Sequence, residues 1–141
     1  MNWLGEMEVV EAVRRFIETR GFKINRVVRE NTEHGTDIVA TSPIQKIEIK
    51  VEAKGQTSSD KSSKRFGKEF NKNQKEDHLG RALLKCLRYL DEGCAAGVAL
   101  PDDDYNKKLI DGISKPLRTL GVVVFFVSKN HDVSTTGVLP P

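Results

Sequence analysis

The sequence predicts an α/β protein, a mixed sheet sandwiched by helices in the order α-β-β-β-α-β-α-β. Three observations carry that expectation. Residues 6–20 repeat apolar side chains at helical spacing. Residues 46–54 alternate strictly, with Ile47, Ile49, Val51 and Ala53 on one face and Lys46, Glu48, Lys50, Glu52 and Lys54 on the other. Residues 122–127, V-V-V-F-F-V, are apolar on both faces, as expected of a strand covered from both sides.

Taken in order, the first helix runs from about Glu6 to Arg20. Val9, Val13, Phe16 and Ile17 form its stripe, Val10 flanks it, and Gly21 stops it. A strand over Phe22 to Arg29 follows, and the polar run Asn31 to Gly35 reads as a turn. Gly35 to Gly55 then reads as two strands joined by a turn around Ser42-Pro43. Gln56 to Lys75 is rich in Ser, Lys and Asn and reads as a mobile basic loop (residues 55–77) within one domain spanning 1–129. A second helix is expected from about Gln74 or His78 to Glu92, burying Leu79, Ala82, Leu83, Cys86, Leu87 and Leu90. Ala95 to Leu100 reads as a strand. The run Pro101-Asp102-Asp103-Asp104 supplies a cap for the helix that starts near Tyr105, and Pro116 should kink or divide that helix. The tail 130–141 is polar and expected to fray.

Composition limits the function. The 141 residues suffice for one domain with a core, 30% of them are charged, and the formal net charge is +3. Cys86 and Cys94 form no CxxC pair, and the three histidines are scattered, so neither a disulfide framework nor a Cys/His zinc site is indicated. Cys86 falls on the apolar stripe of its helix and reads as core. No apolar run approaches membrane-spanning length, and the expectation is a soluble, cytoplasmic protein. Positive charge is concentrated in one place. Between residues 54 and 75, Lys54, Lys61, Lys64, Arg65, Lys68, Lys72 and Lys75 face only Asp60 and Glu69. Gln74, His78, Arg81, Lys85 and Arg88 share one face of the following helix, whose spacing by itself reads as a solvated charged surface.

Chemistry concentrates between Gly35 and Gly55. Hairpin pairing would set Asp37 beside the charged row of the next strand. Phosphodiester hydrolysis needs an activated water and neutralisation of charge on the phosphate. A magnesium ion held by one or two carboxylates supplies much of both, and a neighbouring lysine can hold phosphate or orient the water. Asp37, Glu52 and Lys54 match those needs. Glu48-Ile-Lys50 repeats the acid-x-lysine spacing on the same strand, so the turn register decides which glutamate stands opposite Asp37.

The acid-then-acid-x-lysine pattern, G-T-D37-I-V-A followed by V-E52-A-K54-G, resembles the PD-(D/E)xK nuclease superfamily, with archaeal Holliday-junction resolvases and small restriction-type nucleases closest in style. The resemblance covers about residues 6–128 when element order is included, with Thr36 where the family name has Pro. It implies a restriction-endonuclease-like core and a DNA endonuclease using Mg2+ or Mn2+. Asp37 and Glu52 would be metal ligands, and Lys54 the catalytic lysine. Glu11, in E11-A-V-R-R-F-I-E-T-R-G21-F22, matches a helix glutamate that would also bind metal. Some branches carry a glutamine on the helix after the motif; Arg81 or Gln74 occupies that place here. DNA would be contacted by Lys61, Lys64, Arg65, Lys68, Lys72, Lys75, Arg81 and Lys85. A homodimer would place two active sites on a duplex, and the small size leaves room for a specificity partner subunit. A non-catalytic nucleic-acid-binding or regulatory subunit with the same fold is the alternative.

Overall fold

The computed structural model describes residues 3–30, 35–58 and 67–141. It is an α/β protein with one six-stranded mixed sheet in sequence order: β1 (Lys23–Val27), β2 (Ile38–Thr41), β3 (Glu48–Ala53), β4 (Ala95–Pro101), β5 (Val123–Val127) and β6 (Val133–Thr136). The pairs β1–β2, β2–β3 and β5–β6 are antiparallel, whereas β3–β4 and β4–β5 are parallel. The parallel centre requires helical crossovers, supplied by α2 (Lys72–Asp91) and by α3 (Asp104–Asp111) with α4 (Ser114–Leu120).

Alternation along the strands divides the core in two. α1 (Glu6–Thr19) buries Val9, Val10, Val13 and Ile17 against Ile38, Ala40, Ile49, Val51, Val123 and Phe125 on one face. On the other face α2, α3 and α4 cover Ala96, Val98, Leu100, Val124 and Phe126 with Leu79, Ala82, Cys86, Ile110 and Leu117. β5 is buried along its whole length because both its faces are covered, as the unbroken apolar run requires.

Four expectations change. α2 begins at Lys72, ahead of the expected 74–78. The Asn71 side chain accepts from the Gln74 N–H while the Gln74 side chain accepts from the Asn71 N–H, a reciprocal cap that satisfies two otherwise orphaned donors. The buried stripe of α2 passes through Lys75, Leu79, Ala82, Cys86 and Tyr89, leaving Leu87 48% exposed. The tail expected to fray instead contributes β6, because the open edge of β5 offers ladder partners to Val133–Thr136. The helix divides before Pro116, at Gly112 and Ile113, and Pro116 falls in the first turn of α4, where its missing N–H costs nothing.

Candidate metal and phosphate site at the end of β3

Register is the first determinant of the site. Ile38 pairs with Val51 and Thr41 with Glu48, so continuing the ladder by one residue sets Asp37 opposite Glu52. Glu48 lies at the other end of the strand. The Asp37 Oδ2 accepts the Ala53 N–H at 2.8 Å, which locks the aspartate to the end of β3. Glu52 reaches toward α2, and both acids are buried, Glu52 to 2% exposure and Asp37 to 7%.

Burying two carboxylates together is expensive unless something offsets their charge. Burial, the Glu6 charge and the Glu52 carboxyl push Asp37 up to about 7, against the opposing pull of the Ala53 N–H. Asp37 and Glu52 are cross-strand neighbours at the end of the ladder, and the Glu52 carboxyl acts directly on Asp37. Two residues of α2 support Glu52: Tyr89 donates its hydroxyl to Oε1, and the Lys85 ammonium sits 3.4 Å from Oε2. Lys85 and Tyr89 are one helical turn apart and so reach the same carboxylate. Burial, reinforced by Glu52, keeps the Tyr89 hydroxyl protonated and available as a donor.

The third acid at this end is Glu6, in the first turn of α1. Burial raises its pKa, the Lys54 charge lowers it, and Glu52 raises it further. Glu11, the acid expected on this helix, is elsewhere. Five residues along a helix correspond to a rotation of about 140° and a rise of about 7.5 Å, which removes Glu11 from the end that carries Glu6. Its carboxylate is engaged by Arg14 at 2.5 Å and by Arg15 at 3.2 Å, and these hydrogen bonds hold it down at about 2. Glu11 borders a separate cleft of about 330 Å³ with Phe16, Thr19 and His131. Glu6 is also an acid on the first helix, but it stands fifteen residues before Gly21-Phe22 rather than ten, so the spacing that singled out Glu11 passes over it.

Lys54 follows β3, its N–H donating to the Ala99 carbonyl at 3.0 Å, and its charge acts on both Glu6 and His78. His78 is half-buried, its ring edge-to-face with Phe70 at 4.6 Å, and burial followed by the Lys54 and Arg81 charges lowers its pKa. Oxygen-only donors beside a lysine suit a hard cation such as Mg2+ or Mn2+ better than a softer metal. Among the described residues, no three His, Cys, Asp or Glu side chains converge as a ready-made ion cage. The acids that fit are Asp37 and Glu52, with Glu6 adjacent.

The expected DNA-contacting cations separate. Lys61, Lys64 and Arg65 lie outside the described residues. Lys68 is exposed, and the Lys72 ammonium lies 5.5 Å from the centre of the Tyr105 ring. Arg81 is exposed and paired with Asp77. Lys75 is buried, bonded to Glu69 at 2.6 Å and Asp103 at 3.1 Å, and is committed to the fold. Lys85 is committed to Glu52. Gln74 serves the helix cap and Arg81 faces solvent, so the α2 residues that reach the acids are Lys85 and Tyr89, a pair the sequence signals only by its one-turn spacing. Cys86 is buried and its thiol is pushed up to about 12, which fits a core residue. Among the described residues no helix is long and apolar enough to cross a membrane. No family model matches the chain, and comparison with curated proteins and with solved structures finds no similar protein.

Proposed function

We propose that the chain is a metal-dependent DNA endonuclease of the PD-(D/E)xK type, with its site at the end of β3. The observation that supports this reading best is the buried cross-strand pair Asp37 and Glu52, where burial, then the Glu6 charge and Glu52, push Asp37 up to about 7. Two acids held so close need either a shared proton or a cation between them. Asp37 and Glu52 would hold Mg2+ or Mn2+, with Glu6 in the role expected of Glu11. When bound, such an ion neutralises charge building on a phosphate and acidifies water. Lys54 holds a phosphate oxygen and orients the attacking water. Tyr89 and Lys85 fix the Glu52 carboxylate so that its orientation survives turnover. Exposed cations at the start of α2 and Arg81 supply salt-dependent phosphate contacts.

The test is incubation with duplex, single-stranded and branched DNA in Mg2+ or Mn2+. Cleavage that disappears with chelator and in Lys54→Ala supports the reading; no cleavage of any substrate, or an undiminished Lys54→Ala, rejects it. A second reading, a non-catalytic nucleic-acid-binding subunit, is favoured by one observation: Glu52 already has a countercharge in Lys85 and a hydroxyl donor in Tyr89. It requires DNA binding that is independent of divalent ions and unchanged in Asp37→Asn.

A further inference from the structure

Glu6 belongs to a helix on the face of the sheet opposite α2, yet that helix starts at the end of β3. The Glu6 charge acts on Asp37, so something must fix the start of α1. Gly55 and Gln56 make the contact. A Cβ built on Gly55 would fall 2.6 Å from the Glu6 nitrogen, 2.8 Å from the Gly5 carbonyl carbon and 2.9 Å from the Leu4 oxygen. All three are backbone atoms, which cannot swing aside as a flexible side chain would. Glycine is therefore required because α1 enters directly over it.

Gln56, 3% exposed, completes the grip. Its N–H donates to the Leu4 carbonyl at 2.7 Å, and its side-chain Oε1 accepts the Leu4 N–H at 3.1 Å. Its Nε2 donates to Asp103 Oδ2 at 3.0 Å, the carboxylate that also caps α3. Gly5 bridges to Thr57 one residue further on. A buried glutamine with each of these groups matched is a rigid tie.

We infer that Gly55 and Gln56 are positioning residues that seat Glu6 against the Asp37–Glu52 pair, an inference that rests on reading that pair as a metal site. They touch neither metal nor substrate and act through Glu6. The strand that carries Glu52 and Lys54 thus also sets the third acid, through the two residues that follow it.

Two measurements test this. In metal-free protein, amide exchange at Gln56 and at Val9, whose N–H donates to the Gly5 carbonyl in the first turn of α1, should accelerate about tenfold in Gly55→Ala and in the milder Gln56→Ala. Ile49 and Val51 should stay protected. Unchanged exchange at Gln56 and Val9, or acceleration spread evenly over the sheet, overturns the positioning role. Mn2+ titration then forms a double-mutant cycle. Gln56→Ala should weaken Mn2+ binding about tenfold in the native background, as loss of a supporting contact does, and should cost nothing further in a Glu6→Gln background. Equal loss in both backgrounds overturns action through Glu6. If the native chain binds no Mn2+, the metal-site reading fails, and exchange alone decides whether Gly55 and Gln56 seat the helix.

Discussion

β3 carries the same three-residue pattern twice, and its two ends could hardly differ more. At Glu48-Ile-Lys50 the glutamate is exposed, stands opposite Thr41, and meets the Cys94 thiol at 3.6 Å. Lys50 pairs with the surface residue Glu92 at 3.4 Å. At Glu52-Ala-Lys54 the glutamate is buried, stands opposite Asp37, receives Tyr89 and Lys85, and shares its surroundings with Glu6. Both glutamates lie on the same face of the same strand. Chemical identity and spacing are equal, so the difference comes from what the fold brings to each end. Loops and helix starts converge after β3, whereas before it lie a tight turn, the ends of α1 and α2, and the C-terminal Pro141, whose carbonyl accepts the Gln45 N–H. A short acid-x-lysine pattern acquires meaning from its position along the strand.

The comparison breaks most decisively in the acids. Asp37→Asn and Glu52→Gln should each lower metal-dependent cleavage by about a thousandfold, since a bound ion supplies several kcal/mol of transition-state stabilisation. Glu48→Gln should stay within about twofold, as an exposed carboxylate contributes little. Initial rates on labelled DNA at fixed Mg2+ measure all three. The lysines form the next pair. Lys54→Ala should cost about a hundredfold in rate, in the range for loss of a positioned proton-transfer or phosphate-binding group, while Lys50→Ala, which loses the Glu92 ion pair and a contact of its ammonium with the Tyr89 ring, should stay within about threefold.

Much of this was legible in the sequence, and the reasons for the rest are specific. The alternation of residues 46–54 placed Glu52 with Asp37 on one face, because a strand's period leaves no freedom in that choice. Which residue stood opposite Asp37 depended on the turn; Ser42 closes it by accepting the Ile47 N–H at 2.8 Å on its side chain while its own N–H donates to the Ile47 carbonyl. The two-sided burial of β5 followed from its composition. The helix acid did not follow: choosing Glu6 over Glu11 needs the phase at which α1 meets the sheet, and Gly55 sets that through a backbone approach invisible in composition. Lys75 looked like one more cation of a basic loop, but Glu69 and Asp103 draw it into the interior. Residues 130–141 looked like a polar tail, since an edge strand with little apolar content is recognisable only once its neighbour's open edge is known.

Smaller effects sharpen the contrast as stability. Tyr89→Phe removes a donor from the buried Glu52 carboxylate and should cost about 1–3 kcal/mol in urea unfolding of the metal-free protein. Glu48→Gln should leave the midpoint unchanged. Proton linkage gives a further handle. Asp37, whose ordinary value is 3.8, is raised to about 7 by burial and by Glu6 and Glu52. Between those values the folded state retains a proton that the unfolded chain has released. Stability from this group is therefore complete below about pH 4 and is lost as pH rises through about 7. With chelator present, the melting temperature of Asp37→Asn should fall less over that window than that of the native chain. Divalent ion added at pH 8 should raise the native melting temperature and leave Asp37→Asn where it was.

The most direct test is Mn2+-dependent DNA cleavage by Glu52→Gln and Glu48→Gln, assayed side by side with the native chain. The structure leads us to expect native-like cleavage by Glu48→Gln and none above background by Glu52→Gln. Equal activity in the two variants, whether both cleave or neither does, would contradict the assignment of the site to the Asp37 end of β3.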